Sequence, residues 1–310
     1  MVFPGQGAQA VGMLQEFAAV ETGISQRYAE AAEIIGAPLD QYVKDGPEDQ
    51  LNLTEFTQPA ILTASVALWE IYQARGGVQP TMLAGHSLGE YSALVCAGAL
   101  SFADGVRLVN LRGRYMQQAV PVGEGAIAAV LGLDDEQVGA CCAEAATAQE
   151  PVSPANYNAP GQVAIAGAAA AVDRAIEVCK AAGAKKAVRL NLSVPVHCSL
   201  MAPAGEQLKA AIEDTGLSMP SIPIVQNIDG GVADDLVALK DKLLAQLAGP
   251  VQWTRSIQTM AAAGVTKAVE CGPGKVLGGL IKRIDRSIKV LPTDSEAAMA
   301  ATVAAVGAEA

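Results

Sequence analysis

The strongest chemical signal in the sequence is the pentapeptide Gly85-His86-Ser87-Leu88-Gly89. It lies between a short apolar run and a helix-like segment, which is the setting of a nucleophile elbow. Such a turn holds its serine in an unusual backbone conformation, and the flanking glycines let neighbouring backbone approach without Cβ clashes. The amides that open the following helix would favour an oxyanion. An ordinary strand-to-helix turn is the alternative interpretation.

A serine nucleophile requires a base, and the chain has only two histidines, His86 and His197. His86 adjoins the serine on a tight turn, where neighbouring side chains diverge, so we expect it to pack or to form hydrogen bonds. His197 directly precedes a predicted helix, whose N-terminus would disfavour imidazolium and keep the base neutral. A structural role for His197 is the alternative, which the absence of a rival base disfavours.

Arg112 falls on the apolar stripe of a helix predicted over residues 104–118. On the polar side of this helix, Arg107 and Arg114 are predicted to face Asp104 and Asn110. Because arginine keeps its charge, a buried Arg112 needs an anion. That anion is either an internal carboxylate or a substrate carboxylate held by both arms of the guanidinium.

The elements that must position these residues alternate between helix and strand, which indicates an α/β protein. A helix is predicted to begin at Thr57-Gln58-Pro59 and to end before Gly76-Gly77. A short apolar run at residues 82–84 then leads into the serine turn. Later in the chain we predict helices over 199–214, 234–247 and 295–305, and strands over 222–228 and 267–270.

Residues 124–193 follow a different rhythm, with strands and helices in the order βαββαβ. The predicted strands cover 126–131, 152–158, 162–166 and 187–192, and the helices cover 134–146, with Asp134 as N-cap, and 170–182. This order is that of the ferredoxin-like unit. We therefore predict a small domain at 124–193, inserted into a large domain formed by residues 1–123 and 194–310.

The composition excludes several classes of function. The net charge of -11 disfavours nucleic acid and anionic membrane surfaces as partners. The sequence has no apolar run long enough for a transmembrane helix, and its N-terminus lacks the features of a secretory signal. The six cysteines form no CxxC pair, so we expect reduced, packed thiols in the cytoplasm and no metal site.

Taken together, motifs spread in order along the chain resemble one known family. They are Pro4-Gly5-Gln6-Gly7, Thr57-Gln58-Pro59-Ala60, the serine turn extended through Glu90-Tyr91, Arg112-Gly113, Asn156, Asn158, Val194-Pro195-Val196-His197, Gln246, Pro250-Val251-Gln252-Trp253 and Gly272-Pro273-Gly274. The chain resembles the malonyl-CoA:acyl carrier protein transacylases of bacterial type II fatty-acid synthesis. The resemblance implies an α/β-hydrolase-like large domain that carries a ferredoxin-like insert.

The resemblance also implies roles for particular residues. Ser87 would be the acylated nucleophile, His197 its general base, and Arg112 the partner of the malonyl carboxylate. Gln246 would orient His197 through an oxygen acceptor, in place of the aspartate of a hydrolase triad. The remaining candidates are the oxyanion-hole amides of Gln6 and Leu88 and the lesser pocket residues Gln58, Asn156 and Asn158.

The expected substrates are malonyl-CoA and the phosphopantetheine thiol of an acyl carrier protein, with no bound cofactor. The carrier would bind transiently, and the enzyme is expected to be a monomer. Val196 departs from the small polar residue that the family more often has there, and this difference bears on fine acyl selectivity. The family also has a fuller first strand, so we expect this chain to lack the first residues of that strand.

Carrier and enzyme are both expected to be acidic, so docking requires a local basic face. Two clusters qualify: Lys185, Lys186 and Arg189 in the small domain, and Lys275, Lys282, Arg283, Arg286 and Lys289 near the C-terminus. Ordinary solvated surface charge is the alternative for these residues.

Two rival functions remain. A serine esterase or thioesterase of the α/β-hydrolase type would share the serine motif, but it would want an acidic orienting residue and an HGGG oxyanion loop. The sequence has no HGGG, and Arg112 would serve no purpose on a neutral ester. A non-catalytic carrier-binding subunit would not need Ser87, His197 and Arg112 together. The residues therefore favour a transacylase.

Overall fold

The computed structural model describes residues 1–190 and 194–308. Helices and strands alternate around two separate sheets, which confirms the predicted α/β class. In the described residues the strands are β1 (Val2–Phe3), β2 (Leu83–Gly85), β3 (Gly125–Leu131), β4 (Val152–Ala159), β5 (Gln162–Ala168), β6 (Lys186–Arg189), β7 (Ile224–Val225), β8 (Lys267–Glu270) and β9 (Lys289–Pro292).

The helices carry most of the buried apolar surface. In the same described ranges they are α1 (Gln15–Ala18), α2 (Thr22–Ile35), α3 (Leu39–Asp45), α4 (Glu48–Leu51), α5 (Thr54–Ala74), α6 (Gly89–Cys96), α7 (Phe102–Ala119), α8 (Asp135–Ala145), α9 (Ala169–Ala181), α10 (Ala202–Glu213), α11 (Leu236–Ala248), α12 (Trp253–Ala262), α13 (Val276–Ile284) and α14 (Glu296–Gly307). None of them is long and apolar enough to cross a membrane.

The first sheet is parallel, with the strand order β7-β2-β1-β8-β9. Phe3 at the end of β1 pairs with Gly85 at the end of β2. The segments that follow these strands, residues 4–7 and 86–89, therefore leave the sheet side by side. In open parallel sheets the crevice outside the carboxyl ends of the strands is where ligands bind. The fold thus brings the Gly-Gln-Gly turn to the serine turn.

The second sheet is antiparallel, with the strand order β4-β5-β3-β6. Along the chain its elements follow the order β3-α8-β4-β5-α9-β6. The predicted cap of α8 is confirmed, because the Asp134 side chain accepts a hydrogen bond from the Gln137 amide at 2.8 Å. Helices α8 and α9 cover the face with Ala128, and the opposite face carries Ile127 against Cys198.

The two sheets are joined at β4. The Tyr157 amide donates to the carbonyl of Val251 at 2.9 Å, and the Val251 amide donates to the carbonyl of Ala155 at 2.8 Å. Val251 lies in the segment between α11 and α12, which belongs with the first sheet. These backbone bonds hold the helix-free face of the second sheet toward the rest of the molecule.

The helix predicted to open at Thr57-Gln58-Pro59 begins earlier, at Thr54, so that prediction was wrong by most of a turn. Pro59 lies inside α5 and cannot donate to the carbonyl of Glu55. Asn110 on α7 donates its side-chain amide to that carbonyl at 2.8 Å. Asn110 is consequently buried against α5, and its predicted place on the polar side of α7 was also wrong.

Other predicted boundaries also shift. The strand predicted at 222–228 is only the pair Ile224–Val225, because the chain turns away at once to form the loop before α11. The helix predicted at 199–214 opens with a 3₁₀ turn at Ser199–Met201 before α10. The end of the strand predicted at 187–192 lies outside the described residues, whereas the strand at 267–270 is confirmed.

Candidate active site

Ser87 lies on a sharp turn between β2 and α6 with φ of 53°, a left-handed conformation that is rare outside glycine. A Cβ on Gly85 would lie 1.9 Å from the backbone of Gly89, and one on Gly89 would lie 2.2 Å from the carbonyl oxygen of Phe3. Both glycines are therefore required by close backbone packing. This is the strained strand-turn-helix geometry of a nucleophile elbow.

Ser87 and His197 form a dyad. The Ser87 Oγ lies 2.7 Å from His197 Nε2, and His197 Nδ1 lies 2.7 Å from the backbone carbonyl oxygen of Gln246. A carbonyl only accepts, so Nδ1 carries the proton and Nε2 presents its lone pair to the serine. In this tautomer His197 can take the Ser87 proton.

His197 is 2% exposed, and its environment keeps it neutral. Burial and the nearby charge of Arg112 lower the pKa of His197 from 6.5 to about 3. A helical segment does follow His197, as predicted, and it opens with the 3₁₀ turn Ser199–Met201. The leading causes of the neutral base are burial and the neighbouring cation.

Arg112 is 1% exposed and points from α7 toward the dyad. Its Nη1 donates to Gln58 Oε1 at 2.8 Å, and its Nη2 donates to Gln246 Oε1 at 2.9 Å and to Ser87 Oγ at 3.2 Å. Its Nε is buried without a hydrogen-bond partner. Among the described residues no carboxylate forms an ion pair with it, so the alternative of an internal salt bridge gains no support.

A guanidinium that is buried without a directly paired carboxylate retains the capacity to bind one. The guanidinium carbon lies 5.3 Å from the centre of the Tyr91 ring, which adds a favourable contact for the cation. The neighbouring arginines differ, since Arg107 pairs with Asp104 and Arg114 pairs with Glu55. Arg112 is therefore equipped to accept a carboxylate ligand beside Ser87.

The candidate oxyanion donors are the backbone amides of Gln6 and Leu88. Within the described residues neither amide donates a hydrogen bond, and both residues line the cavity next to Ser87. The two turns touch closely here, because a Cβ on Gly5 would lie 2.4 Å from the His86 carbonyl oxygen. Two free amides beside a nucleophile can stabilise a developing oxyanion.

The site opens into a cavity of about 240 Å³ between the two sheets. The first sheet and its helices contribute Gln6, Ser87, Leu88, Arg112, His197 and Leu277, and the second sheet contributes Ile127, Asn156, Asn158, Gln162 and Leu190. Val196, which departs from the family pattern, also lines it. Gln58 and Gln246 lie behind Arg112 and do not line the cavity.

The two asparagine candidates differ in their contacts. Asn158 Oδ1 accepts from His86 Nε2 at 2.8 Å, so His86 forms a hydrogen bond, as expected, and remains apart from the serine oxygen. Asn156 is 6% exposed and pairs with Val251 at the junction of the two sheets. Asn158 therefore faces the cavity with its amide group still able to donate, whereas Asn156 mainly supports the wall.

Two residues that were assigned no role in the sequence analysis complete the site. Asn227, at the carboxyl end of β7, accepts from the Ser87 amide at 2.6 Å and donates to the Gly85 carbonyl at 2.6 Å. Glu90, buried on α6, accepts from the Asn227 amide at 3.0 Å. Asn227 lies within the strand predicted at 222–228, which was the only sequence feature that could have pointed to it.

The described residues contain no cluster of His, Cys, Asp or Glu that could hold a metal ion. Every cysteine of the chain lies in the described ranges and is free, and all except Cys96 are buried. Burial raises the pKa of the Cys142, Cys179 and Cys271 thiols to about 12, which keeps them protonated and unreactive.

The predicted basic clusters meet along one row of the second sheet. Lys186 pairs with Leu131, and Leu131 pairs with Gln162, so these three side chains project from one face. Arg283 on α13 donates to Gln162 Oε1. This row brings Lys186 to within roughly 10 Å of Gln162, two strand spacings away.

The other predicted docking residues are placed differently. Arg189 pairs with Ala128 on the helix-covered face and forms a two-bond ion pair with Asp173, at 2.5 and 2.7 Å. It therefore points away from the cleft, against expectation. Lys185 is exposed just before β6. The remaining cations line a separate surface cavity beside α13 and are Lys275, Lys282, Arg286 and Lys289.

A family model described as acyl transferase domain matches residues 1–304. The chain belongs to the acyl transferase family. It is 50% identical over 302 residues to a malonyl CoA-acyl carrier protein transacylase of Salmonella typhimurium, covering 97% of each chain. It is 42% identical to the protein of that name from Bacillus subtilis, over 94% of this chain and 91% of the relative.

Solved structures agree with these matches. A malonyl-CoA:acyl carrier protein transacylase from Xanthomonas oryzae is 50% identical, with a TM-score of 0.96 over 98% of this chain and 96% of that one. A malonyl-transacylase in complex with a type II PKS acyl-carrier protein is 46% identical, with a TM-score of 0.96 over 98% of each chain. The mixed α/β architecture with one parallel and one antiparallel sheet is therefore that of this family.

Proposed function

We propose that this protein transfers the malonyl group of malonyl-CoA to the phosphopantetheine thiol of an acyl carrier protein. The observation that carries the proposal is the buried Arg112 guanidinium, which lacks a carboxylate partner and lies 3.2 Å from the Ser87 nucleophile. A malonyl thioester has its carboxylate and its thioester carbonyl one methylene apart. Arg112 suits the carboxylate, and the amides of Gln6 and Leu88 suit the thioester carbonyl. The names of the relatives point to the same reaction.

In the first half-reaction Ser87 Oγ attacks the thioester carbonyl and its proton passes to His197 Nε2. The amides of Gln6 and Leu88 would stabilise the tetrahedral oxyanion. As the intermediate collapses, the carbon–sulfur bond breaks, and the CoA sulfur leaves as a thiol with the proton from His197. The product is a malonyl ester on Ser87.

In the second half-reaction the carrier's phosphopantetheine thiol gives its proton to His197 and attacks the Ser87 ester. The new carbon–sulfur bond forms, the ester bond breaks, and His197 returns the proton to Ser87. The base thus starts and ends each half-reaction neutral. Its neutral resting form, favoured by burial and by Arg112, suits this cycle.

The Gln246 carbonyl takes the place that a carboxylate holds in a hydrolase triad. It fixes the ring and the tautomer of His197 without adding a negative charge beside the malonyl carboxylate. A serine esterase of the α/β-hydrolase type would instead use an acid at this position. The carbonyl and the cationic pocket together disfavour that alternative.

The fold and domain assignments belong to the same proposal. The order β3-α8-β4-β5-α9-β6 and the sheet order β4-β5-β3-β6 support a ferredoxin-like unit over residues 124–193. Residues 1–123 and 194–310 would form an α/β-hydrolase-like domain around the parallel sheet. In this arrangement the cavity is the interface between the two domains.

The carrier would approach along the row formed by Lys186, Gln162 and Arg283, with Lys185, Lys282 and Arg286 beside it. The lysines and arginines of this set are exposed, Gln162 is half-buried, and the row borders the cavity that Gln162 lines. Arg189 is left out of this face because Asp173 holds it on the other side of the sheet. An acidic carrier would deliver its phosphopantetheine arm from here into the cavity.

We further propose a monomeric, cytoplasmic enzyme that needs no bound cofactor. The chemistry above uses only Ser87, His197, Arg112, two backbone amides and the Gln246 carbonyl. The free cysteines support a reducing compartment, since thiols persist there.

Intact-protein mass spectrometry tests the proposed function. Mixing the protein with malonyl-CoA is expected to add one malonyl group to Ser87, and adding a holo carrier protein is expected to remove it. Ser87→Ala should take up no acyl group. Arg112→Ala should lose malonylation by about two to three decades while it keeps acetylation from acetyl-CoA. An unmodified wild-type protein, or an unchanged malonyl-to-acetyl preference in Arg112→Ala, would contradict the proposal.

A further inference from the structure

Glu90 is a buried carboxylate that the proposed mechanism does not use. It lies in the first turn of α6, directly after the serine turn, and is 1% exposed. Among the described residues no lysine or arginine forms an ion pair with it. Burying an ionised carboxylate is costly unless hydrogen bonds compensate it. The hydrogen bonds between Glu90 and its neighbours must therefore compensate for this cost.

Three amide groups donate to this carboxylate. Oε2 accepts from the Asn227 amide at 3.0 Å and from Gln246 Nε2 at 2.9 Å, and Oε1 accepts from Gln226 Nε2 at 3.4 Å. These donors come from the loop after β7 and from α11, which are distant from α6 in the sequence. Glu90 therefore joins three elements directly beneath the nucleophile.

The Gln246 side chain lies between Glu90 and Arg112, and their chemistry fixes its orientation. An ionised carboxylate only accepts hydrogen bonds, and a guanidinium only donates them. The amide can satisfy both only with Nε2 toward Glu90 and Oε1 toward Arg112. The structure has this arrangement, and Nε2 also donates to the Ser87 carbonyl at 3.0 Å.

Asn227 carries the influence of Glu90 to the serine turn. Its backbone amide is held by Glu90, while its side chain accepts from the Ser87 amide and donates to the Gly85 carbonyl. Asn227 therefore forms hydrogen bonds on both sides of the strained turn, and Glu90 accepts a hydrogen bond from its backbone amide. Through Asn227 and Gln246, one carboxylate contacts the supports of both the nucleophile and the substrate-binding arginine.

We propose that Glu90 is a positioning residue that holds the Arg112 fork in register with Ser87 by fixing the Gln246 amide and the Asn227 backbone. The inference rests on the proposed function, because its effect is defined by malonyl transfer. Without the carboxylate, the Gln246 amide could turn its Nε2 toward Arg112 and present a donor to a donor. Arg112 would then move away from the malonyl carboxylate. Acylation by malonyl-CoA would therefore slow more than acylation by acetyl-CoA, which has no carboxylate to bind.

The test measures the acylation rate of Ser87 by malonyl-CoA and by acetyl-CoA at pH 8, where Glu90 is ionised. Glu90→Gln keeps the side-chain shape but presents an N–H₂ group to at least one of the three donors. Because the hydrogen bonds involved are charge-assisted, we expect malonyl acylation to fall about tenfold or more, with a smaller loss for acetyl. The malonyl-to-acetyl ratio should therefore fall several-fold.

Glu270→Gln is the matched control, since Glu270 is also a buried carboxylate that caps backbone amides, those of Leu277 and Gly278. It should leave the malonyl-to-acetyl ratio as in the wild type. Glu90→Asp, which keeps the charge on a shorter side chain, should recover part of the ratio. It also provides a reading should Glu90→Gln fail to fold, as judged by circular dichroism.

The outcomes separate the two proposals. A wild-type protein that malonyl-CoA does not acylate would overturn the proposed function itself. If the wild type is acylated but Glu90→Gln lowers the acylation rates with malonyl-CoA and acetyl-CoA equally, Glu90 has only a general structural role, and the positioning role is overturned. A ratio that rises in Glu90→Gln would mean that the carboxylate merely repels the substrate, and this too would overturn the positioning role.

Discussion

At the scale of single residues, Gln246 serves two neighbours through different atoms. Its backbone carbonyl accepts from His197 Nδ1, and its side-chain oxygen accepts from Arg112. Replacement of the side chain would therefore leave the partner of the base in place. The same replacement would remove one acceptor from the arginine that is proposed to select malonyl groups.

We predict that Gln246→Ala separates these two contacts. Acylation by acetyl-CoA should stay within a few-fold of the wild type, because the His197 dyad is retained. Acylation by malonyl-CoA should fall about tenfold or more, since hydrogen bonds to charged groups contribute about 1.5–3 kcal/mol. Stopped-time mass spectrometry of the acyl-enzyme measures both rates. Equal losses for the two acyl groups would mean that the side chain also supports the base.

The sequence identified the reactive residues better than their supports. Ser87 stood out through its glycine motif, and His197 through the scarcity of histidine. Asn227 could not be found in this way, because it reaches Ser87 only through the pairing of β7 with β2, which are far apart in the chain. Sequence patterns report local neighbours, whereas this support depends on strand order.

At the scale of elements, the position of Arg112 depends on how closely α7 approaches α5. A Cβ on Gly113 would lie 2.6 Å from the Glu55 Cα and 2.6 Å from the Thr54 carbonyl oxygen. Both contacts are with backbone, which cannot move aside as a flexible side chain would. Gly113 therefore sets the distance between the two helices next to the arginine.

We predict that Gly113→Ala destabilises the protein by about 1–3 kcal/mol, the usual cost of overpacking a closely fitted interior. It should also lower malonyl acylation more than acetyl acylation, because α7 carries Arg112 away from Ser87. Chemical denaturation and the acyl-enzyme assay measure the two effects.

Gly139→Ala on α8 is the control for this substitution. Nothing lies within 4 Å of a Cβ at this position, so alanine should be neutral or stabilising by about 0.5–1 kcal/mol through helix propensity. Similar stability changes for the two variants would show that the close approach of α7 to α5 is unimportant.

Elements whose ends are set by neighbouring residues in the sequence could be predicted. Elements that exist only because distant segments pack against them were missed. Asp134 and Gln137 form a capping box, so the start of α8 could be predicted. Strands β1 and β7 contain only two residues each, too few for any pattern, and exist because neighbouring strands pair with them. Helices α1 and α4, of four residues each, are likewise set by tertiary packing.

At the scale of the whole molecule, docking of an acidic carrier must overcome a net charge of -11. Lys282→Glu combined with Arg283→Glu is expected to raise the KM for the carrier and to flatten its salt dependence. Each exposed charge contributes about 1 kcal/mol or less, so the double change is needed for a clear effect. Steady-state kinetics against carrier concentration measures it.

Two comparisons make this result specific. Malonylation of Ser87 by malonyl-CoA should be nearly unchanged in the double variant, because that half-reaction does not involve the carrier. Arg189→Glu should leave the carrier KM unchanged, since Arg189 lies on the opposite face of the sheet. A double variant that slows both half-reactions equally, or neither, would place the docking face elsewhere.

Stability should depend on pH through Glu90. Burial raises the pKa of Glu90 from 4.5 to about 7, so between these values the folded protein keeps a proton that the unfolded chain has released. The resulting stabilisation is fully present below the unfolded pKa and is lost as the pH rises through the folded pKa.

The difference in the free energy of unfolding between the wild type and Glu90→Gln should therefore be about 2.5 kcal/mol more favourable to the wild type at pH 5 than at pH 8. Arg112, Tyr91 and His197 face the same network in both proteins, so their own titrations largely cancel in this difference. Urea denaturation at the two pH values measures it. An equal difference at both would mean that Glu90 titrates at its ordinary pKa.

The carbonyl that supports His197 has a consequence for how this enzyme tolerates mutation. Every amino acid at position 246 supplies a backbone carbonyl oxygen, so no amino-acid substitution there removes the hydrogen-bond acceptor of His197 Nδ1. A carboxylate in that role could be lost through one nucleotide change. In a saturation library at position 246, variants other than proline, which would break helix α11, should keep the catalytic base and differ in the acyl group they accept.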